Sequence, residues 1–149
     1  MNKWIERLLL DNIDMVTVQE PKLTPENVVE MIRAEIQLGV TTLVGNPKKK
    51  ILFIVRRINE YILDIHMVSE CKDGFALVKE GRKGMRWIWR NTNKQRVEMR
   101  THQKGVMKYA ERVGWELEGV RKGSFRTEDG TFIDEYEYGM SRPEEYNSE

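Results

Sequence analysis

The chain has 149 residues, of which 33% are charged and 40% are hydrophobic. This length predicts a single domain over residues 1–149, and this composition is typical of a globular protein rather than a disordered one. No apolar run approaches the roughly 20 residues that span a bilayer, and the charges of Glu6 and Asp11 do not fit a signal peptide. We therefore expect a cytoplasmic protein that does not contact a membrane.

The single cysteine, Cys71, excludes an intramolecular disulfide. No group of Cys and His residues has the spacing of metal ligands, so zinc fingers are excluded and no metal is expected.

Charge is balanced overall but not along the chain. Between Lys79 and Arg112 there are eleven basic and three acidic residues, a net charge of +8, whereas Glu128 to Glu149 has one basic and eight acidic residues, a net charge of −7. A basic segment attracts anions such as nucleic acid or a phosphorylated small molecule. A solvated face neutralised by the acidic tail would have the same composition. Charge alone therefore does not distinguish an anionic partner from such a face.

The first half of the chain predicts two helices and three strands. Apolar spacing indicates a helix over Met1–Leu10, and Thr24 followed by Pro25 begins a second helix that ends at Gly39. Runs rich in β-branched residues predict strands at Thr41–Val44, Ile51–Ile58 and Tyr61–Val68, with turns at residues 45–47 and, as a two-residue hairpin, 59–60.

The second half predicts alternating helices and strands. They are a helix over Gly74–Asn91, a strand over Arg96–Thr101, a helix over Lys104–Val113 and two strands, Trp115–Arg126 and Phe132–Met140, before a tail that is frayed from about residue 141. Gly81 and Gly84 weaken the first of these helices and suggest that it packs closely on a sheet. The element order predicts an α/β domain with a mixed sheet flanked by helices.

The C-terminal third carries a resemblance to a known family. The string Ala110–Gly119, followed by Asp134, Tyr138, Met140 and Glu144, resembles the ending of the GNAT superfamily of N-acetyltransferases, in the branch that includes ribosomal-protein acetyltransferases. The resemblance implies a GNAT-like fold with a mainly antiparallel sheet. It also implies acetyl-CoA as the cofactor and an amine of a protein or small molecule as the acceptor.

In that superfamily the coenzyme lies at the end of a central strand and on the loop that opens the next helix, where main-chain N–H groups cradle its diphosphate. The corresponding residues are Met67, Val68, Cys71, Lys72, Asp73, Gly74, Phe75, Ala76 and, before the following helix, Gln103. Cys71 stands where the family has Gln or Arg, and Asp73 places a negative charge beside the phosphate site. Lys72, Lys79, Arg82 and Lys83 are candidates to compensate for that charge.

Candidate catalytic residues follow from the same resemblance. His66 has a pKa suited to accept the amine proton, and Asp64 shares its face of the strand by period-two alternation. The alternative to a catalytic role is that His66 is a structural residue of the sheet, hydrogen-bonded to Asp64. Glu98 is a second candidate base, with Arg96 and Arg100 as salt-bridge partners on its face. Tyr109 lies one position before the family's general-acid tyrosine, and packing is its alternative role.

Trp87 and Trp89 lie on the basic helix. Proteins that bind single-stranded nucleic acids combine aromatic and basic side chains in this way. Because residues two apart on a helix point to different sides, at least one of them is expected in the core, and the sequence does not favour nucleic acid as a partner.

The segment 73–91 also resembles GNAT-like proteins of tailed bacteriophages, some of them virion-associated. Two functions therefore stay open: an acetyl-CoA-dependent N-acetyltransferase, or a catalytically inactive binding or assembly protein, located in the host cytoplasm or virion. A homodimer or a phage assembly partner would suit the second.

Overall fold

The computed structural model describes residues 1–13 and 24–147. Its elements are α1 (Lys3–Asp11), α2 (Pro25–Gln37), β1 (Thr41–Asn46), β2 (Ile51–Arg57), β3 (Ile62–Ser69), α3 (Gly74–Asn91), β4 (Arg96–Thr101), α4 (Lys104–Val113), β5 (Glu116–Arg126), β6 (Phe132–Ser141) and a 3₁₀ turn, Glu144–Tyr146. The strands form one six-stranded sheet in the order β1-β2-β3-β4-β6-β5. β3 and β4 are parallel, whereas β1–β2, β4–β6 and β5–β6 are antiparallel. The predicted mixed, mainly antiparallel α/β fold is confirmed.

The chain divides into two compact units. The first comprises Met1–Ile58 and Ile65–Lys72, and the second comprises Asn59–Asp64 and Asp73–Glu149. The division falls within β3 and again between Lys72 and Asp73. None of the described helices is both long and apolar enough to cross a membrane.

The core of the first unit lies between its helices and its strands. Thr24 begins α2 as predicted, since its hydroxyl accepts the Asn27 N–H at 3.2 Å and Pro25 occupies the first turn. The buried side chains of this core are Leu8, Leu9, Val28, Val29, Ile32, Leu52, Ile54 and Val68. Their burial fixes the two helices on the strands through the hydrophobic effect.

Two turns between the early strands differ from the predicted ones. β1 continues through Asn46, and the turn follows at residues 47–50. The bend before β3 spans residues 58–61 rather than two residues, because the Asn59 side-chain oxygen accepts the main-chain N–H groups of Tyr61 and Ile62 at 2.8 and 3.0 Å. An Asn that bonds to the backbone in this way creates a wider turn than a two-residue hairpin allows.

The second unit is built on β4, which lies between β3 and β6. Val97 of β4 is fully buried, and Tyr138 of β6 is 1% exposed. The Tyr138 hydroxyl donates a hydrogen bond to Glu111 of α4 at 3.0 Å, so this large buried side chain has a polar partner. α4 ends at Gly114, whose φ of +115° suits glycine.

Arg142 anchors the chain after β6. Its guanidinium donates to the carbonyl oxygens of Trp89, Thr92 and Lys94, at the end of α3 and just beyond it, and also to that of Tyr146. These bonds satisfy carbonyls that a helix end leaves free, and a cation there opposes the negative end of the helix dipole. The chain as far as Tyr146 is therefore held in place, which differs from the expected frayed tail.

Gly81 allows α3 and α4 to approach each other closely. A Cβ at position 81 would lie 2.9 Å from Cγ2 of Val113 and closer still to the Tyr109 hydroxyl, both on α4. At Gly84 an added Cβ would meet nothing within 4 Å. The predicted close packing thus occurs between two helices rather than against the sheet, and it involves only one of the two glycines.

This difference predicts opposite effects for two alanine substitutions on one helix. Gly81→Ala should lower the free energy of unfolding by about 1–3 kcal/mol, because the methyl group overpacks the helix contact. Gly84→Ala should leave it unchanged or raise it by up to about 1 kcal/mol, because alanine favours a helix and the space is open. Urea denaturation of both variants measures the effects. Equal stabilities of the two variants would contradict the close contact at Gly81.

Candidate functional site

The first turn of α3 is the candidate cofactor site, and Asp73 caps it. The Asp73 side chain accepts the main-chain N–H groups of Phe75 and Ala76 at 3.1 and 3.3 Å through Oδ1. The Asp73 carbonyl accepts the N–H of Leu77, which begins the regular helical pattern. Asp73 therefore acts as the N-cap residue of an 18-residue helix.

This cap takes up the groups that an anion would bind. The N–H groups of a first helical turn have no partner within the helix and carry the positive end of its dipole. At α3, two of them already bind a carboxylate. A phosphate that approaches the same turn would have to displace Asp73 or share these groups with a like charge.

The surroundings of the cap leave space. A Cβ on Gly74 would meet no atom within 4 Å, and Phe75 is 91% exposed. Ala76 is buried and small, and Lys72 lies exposed just before the cap. An anion therefore has steric access to the main chain of this turn, and the Asp73 carboxylate is its competitor.

Asp64 and Glu98 lie side by side in the second unit. The parallel ladder of β3 and β4 joins Ile62 to Arg96, Leu63 to Val97 and Asp64 to Glu98. Residues paired in register point to the same face of a sheet. The structure thus brings together two of the predicted catalytic carboxyl groups at paired positions of this ladder.

Arg96 holds Glu98 and also Glu118 of β5. Its Nε lies 3.1 Å from Glu98, and its terminal nitrogens bind both carboxylate oxygens of Glu118. The pKa of Glu118 is lowered because Arg96 donates to its charged form. The predicted pair of Glu98 with Arg96 is present, whereas Arg100 pairs with Glu137 at 3.6 Å instead.

Gly139 makes room for the Arg96–Glu118 pair, which the sequence analysis missed. A Cβ at Gly139 would collide with the Glu118 carboxylate and the Arg96 guanidinium. The two charged groups therefore lie directly over bare main chain of β6. The glycine inside a strand was the available signal, since such a glycine often marks the close approach of another group.

Tyr109 lies in the contact between α3 and α4. Its hydroxyl lies against Gly81, about two helical turns along α3 from the capped end. Burial raises the pKa of Tyr109, and the charge of Glu80 adds to this effect. A half-buried phenol that keeps its proton and fills a helix contact fits the packing role that the sequence left open.

Gln103 precedes α4 as its N-cap residue, but its side chain makes no capping hydrogen bond. Its main-chain N–H donates to the Thr101 hydroxyl at 3.0 Å. The neighbouring His102 stacks on Phe125 with ring centroids 3.9 Å apart. The first turn of α4 therefore lacks the side-chain cap that Asp73 provides at α3.

The remaining predicted residues belong to the first unit. Val68 is fully buried in its core, so its side chain faces the core and only its main chain remains for a ligand. His66, Met67 and Cys71 are half-buried, and the Cys71 N–H donates to the Ser69 hydroxyl at 2.9 Å. Within residues 1–13 and 24–147, no three Cys, His or acidic side chains form a group able to hold a metal ion.

Comparison with solved structures identifies the fold. Neither a family model nor any curated protein matches the sequence. The spermidine N-acetyltransferase from Vibrio cholerae in complex with CoA and spermine is similar with a TM-score of 0.75 at 13% identity, over 99% of this chain and 95% of that chain. The chain has the GNAT fold.

Two further structures with the GNAT fold agree. A ribosomal-protein alpha-N-acetyltransferase in complex with coenzyme A has a TM-score of 0.71 at 15% identity, over 92% of this chain and 86% of that chain. A GNAT-family acetyltransferase from Streptococcus pneumoniae has a TM-score of 0.63 at 16% identity, over 93% of each chain. The GNAT fold extends over nearly the whole of each of these chains.

The cap predicts a measurable loss of stability. Asp73→Ala should lower the free energy of unfolding by about 1 kcal/mol, because two N–H groups lose their acceptor. Asp73→Asn is the matched control, since asparagine caps about as well and removes only the charge. Urea denaturation measures both variants, and a fully stable Asp73→Ala protein would show that the cap contributes nothing.

Proposed function

We propose that the protein is an N-acetyltransferase that transfers the acetyl group of acetyl-CoA to an amine of a protein or small molecule. The observation that carries the proposal is the first turn of α3, which follows the central strand β3 and leaves open space at Gly74. The GNAT fold, which the spermidine and ribosomal-protein acetyltransferases share, supports it.

The residues of this turn fit a diphosphate on one condition. Gly74 leaves the main chain accessible, and Lys72 provides a positive charge next to it. The condition is that the Asp73 carboxylate gives up the N–H groups of Phe75 and Ala76. The helix dipole then favours the incoming phosphate as it now favours the carboxylate.

The chain's own residues supply the remaining functions. When bound, acetyl-CoA supplies an acetyl thioester, whose acetyl group passes to the amine nitrogen as the carbon–sulfur bond breaks. In this proposal His66 accepts the proton that the amine loses, since imidazole changes its charge near neutral pH. Glu98 is the weaker candidate base, because Arg96 already binds its carboxylate. Tyr109 is not needed as an acid, given its place between two helices.

The acceptor is proposed to be a cation before it reacts. Amines carry a positive charge at neutral pH, and the carboxyl groups of Asp64 and Glu98, the second of them also bound by Arg96, lie at paired positions on one face of the sheet. Such groups attract and orient an ammonium group, and positioning of this kind contributes to catalysis.

A second candidate function rests on Asp73. Because its carboxylate already binds the two N–H groups, the same fold also suits a protein that no longer binds acetyl-CoA and acts as a binding or assembly module, for example in a bacteriophage. In that case the Asp73 cap is permanent and stabilises α3.

Calorimetric titration with acetyl-CoA separates these two functions. The enzyme should bind it, and Gly74→Glu should weaken binding at least tenfold, because it adds bulk and negative charge at the turn. Gly84→Glu is the matched control, since it makes the same change in open space on the same helix. Asp73→Ala should bind about tenfold more tightly than the wild type, with Asp73→Asn in between.

The wild-type result decides between the candidates. Binding by Asp73→Ala alone would mean that the native cap closes the site, which favours the module. Absence of heat from every variant would reject acetyl-CoA as a ligand. A module should also hold a partner whose binding does not depend on coenzyme A.

His66→Ala should lower the rate of acetyl transfer by about 10²-fold or more and flatten its dependence on pH, because the group that titrates near neutral pH is removed. Initial rates between about pH 6 and 9 measure this, the range over which a histidine base titrates. His102→Ala is the control, since His102 stacks on Phe125. An unchanged pH profile in His66→Ala would eliminate His66 as the base.

A further inference from the structure

The outer surface of α3 carries, among the described residues, five cations without a carboxylate partner beside an exposed tryptophan, and one of these cations, Arg82, donates to the Arg112 carbonyl at 2.6 Å. We call it the α3 basic stripe and define it as Lys79, Arg82, Lys83, Arg86, Trp87 and Arg90. At 100° per residue these six side chains fall within an arc of about 140°, and at 1.5 Å per residue they extend over about 16 Å. All six are exposed, and none of them is acidic.

Several other cations of the protein, unlike those of the stripe, have carboxylate partners. On α2, Arg33 pairs with Glu30 at 2.6 Å and with Glu6 of α1 at 2.9 Å. In the second unit, the β4 and β5 cations Arg96, Arg100, Arg121 and Lys122 all have a carboxylate partner. Among the described residues, no carboxylate pairs with any of the five cations of the stripe.

The acidic tail does not neutralise the stripe in the part of the chain that the structure describes. Asp134 pairs with Lys122 at 3.4 Å, and Glu137 pairs with Arg100 and Arg121. These carboxylates therefore form ion pairs with cations of β4 and β5. Of the two sequence-based alternatives for the basic segment, a face neutralised by the tail and a face open to an anionic partner, the described contacts support the second.

The exposure of Trp87 indicates which class of anionic partner suits the stripe. Trp89 is 2% exposed and belongs to the core, whereas Trp87 is 61% exposed and lies within the stripe. A flat aromatic ring between cations suits a chain of phosphates with accessible bases, because bases stack on the ring while the cations bind the backbone. In a duplex the faces of the bases are stacked on one another and cannot contact the ring, and an acidic polypeptide has no bases to stack on it.

We propose that the α3 basic stripe binds single-stranded nucleic acid. The sequence alone did not favour this partner, since it could not tell which tryptophan is buried. The proposal does not rest on the proposed acetyl transfer. The stripe begins beyond the first turn of α3, and either property can be absent while the other is present.

Fluorescence anisotropy of labelled U20 and dT20 with the full chain tests the proposal. Five phosphate contacts predict that the logarithm of the binding constant falls with the logarithm of salt with a slope of about −3.5. Arg86→Glu/Arg90→Glu should weaken binding at least tenfold at low salt and reduce the slope. Lys48→Glu/Lys49→Glu is the matched control, since it makes the same charge change at an exposed turn and should retain binding within about threefold.

Trp87→Ala tests stacking and should weaken binding at least about fivefold with the slope unchanged, while Trp87→Phe should retain most of the affinity. Equal losses in the two double variants would reduce the effect to net charge and overturn the proposal. So would wild-type affinity in Trp87→Ala, equal affinity for a duplex, or tighter binding of polyglutamate. Titration of the same variants with acetyl-CoA should give the wild-type result, which keeps the two proposals separable.

Discussion

The hydrogen bonds from Phe75 and Ala76 to the Asp73 carboxylate are the interaction on which the start of α3 depends. They complete the first turn of that helix, and they occupy the main-chain groups that acetyl-CoA would need under the proposed function. A single side chain therefore stabilises the helix and, in that proposal, opposes a ligand at the same place. Under the proposal, the stability of the helix and the binding of a ligand place opposite requirements on Asp73.

The sequence predicted regular elements well where a local rule governs them. Thr24 and Pro25 begin α2, and Gly114 ends α4, because caps and positive φ angles depend on neighbouring residues. The bounds of α3 and β4 also agree with their predicted ranges. The turn at Asn59 was predicted too short, since periodicity does not reveal which side chain bonds to the backbone.

The site was less predictable because it depends on contacts between distant residues. The sequence placed Asp73 next to an anion site, but only the structure shows its carboxylate bound to the N–H groups there. Tyr109 fills a helix contact across Gly81, and Arg96 reaches Glu118 over Gly139. Such contacts join residues far apart in the chain, and a single sequence does not reveal which distant residues meet. The charge excess of the basic segment is visible in the sequence, whereas the absence of carboxylate partners for the cations of the α3 basic stripe, among the described residues, is visible only in the fold.

Arg142 has a consequence for where this chain tolerates shortening. The four α-helices and six strands of residues 1–13 and 24–147 end at or before Ser141, so a protein truncated there would keep all of them and lose only the 3₁₀ turn. It would also lose the guanidinium that binds the carbonyls of Trp89, Thr92 and Lys94. The far end of α3 would then unravel more easily although no residue of α3 had been removed, and the boundary of the folded protein lies beyond its last strand.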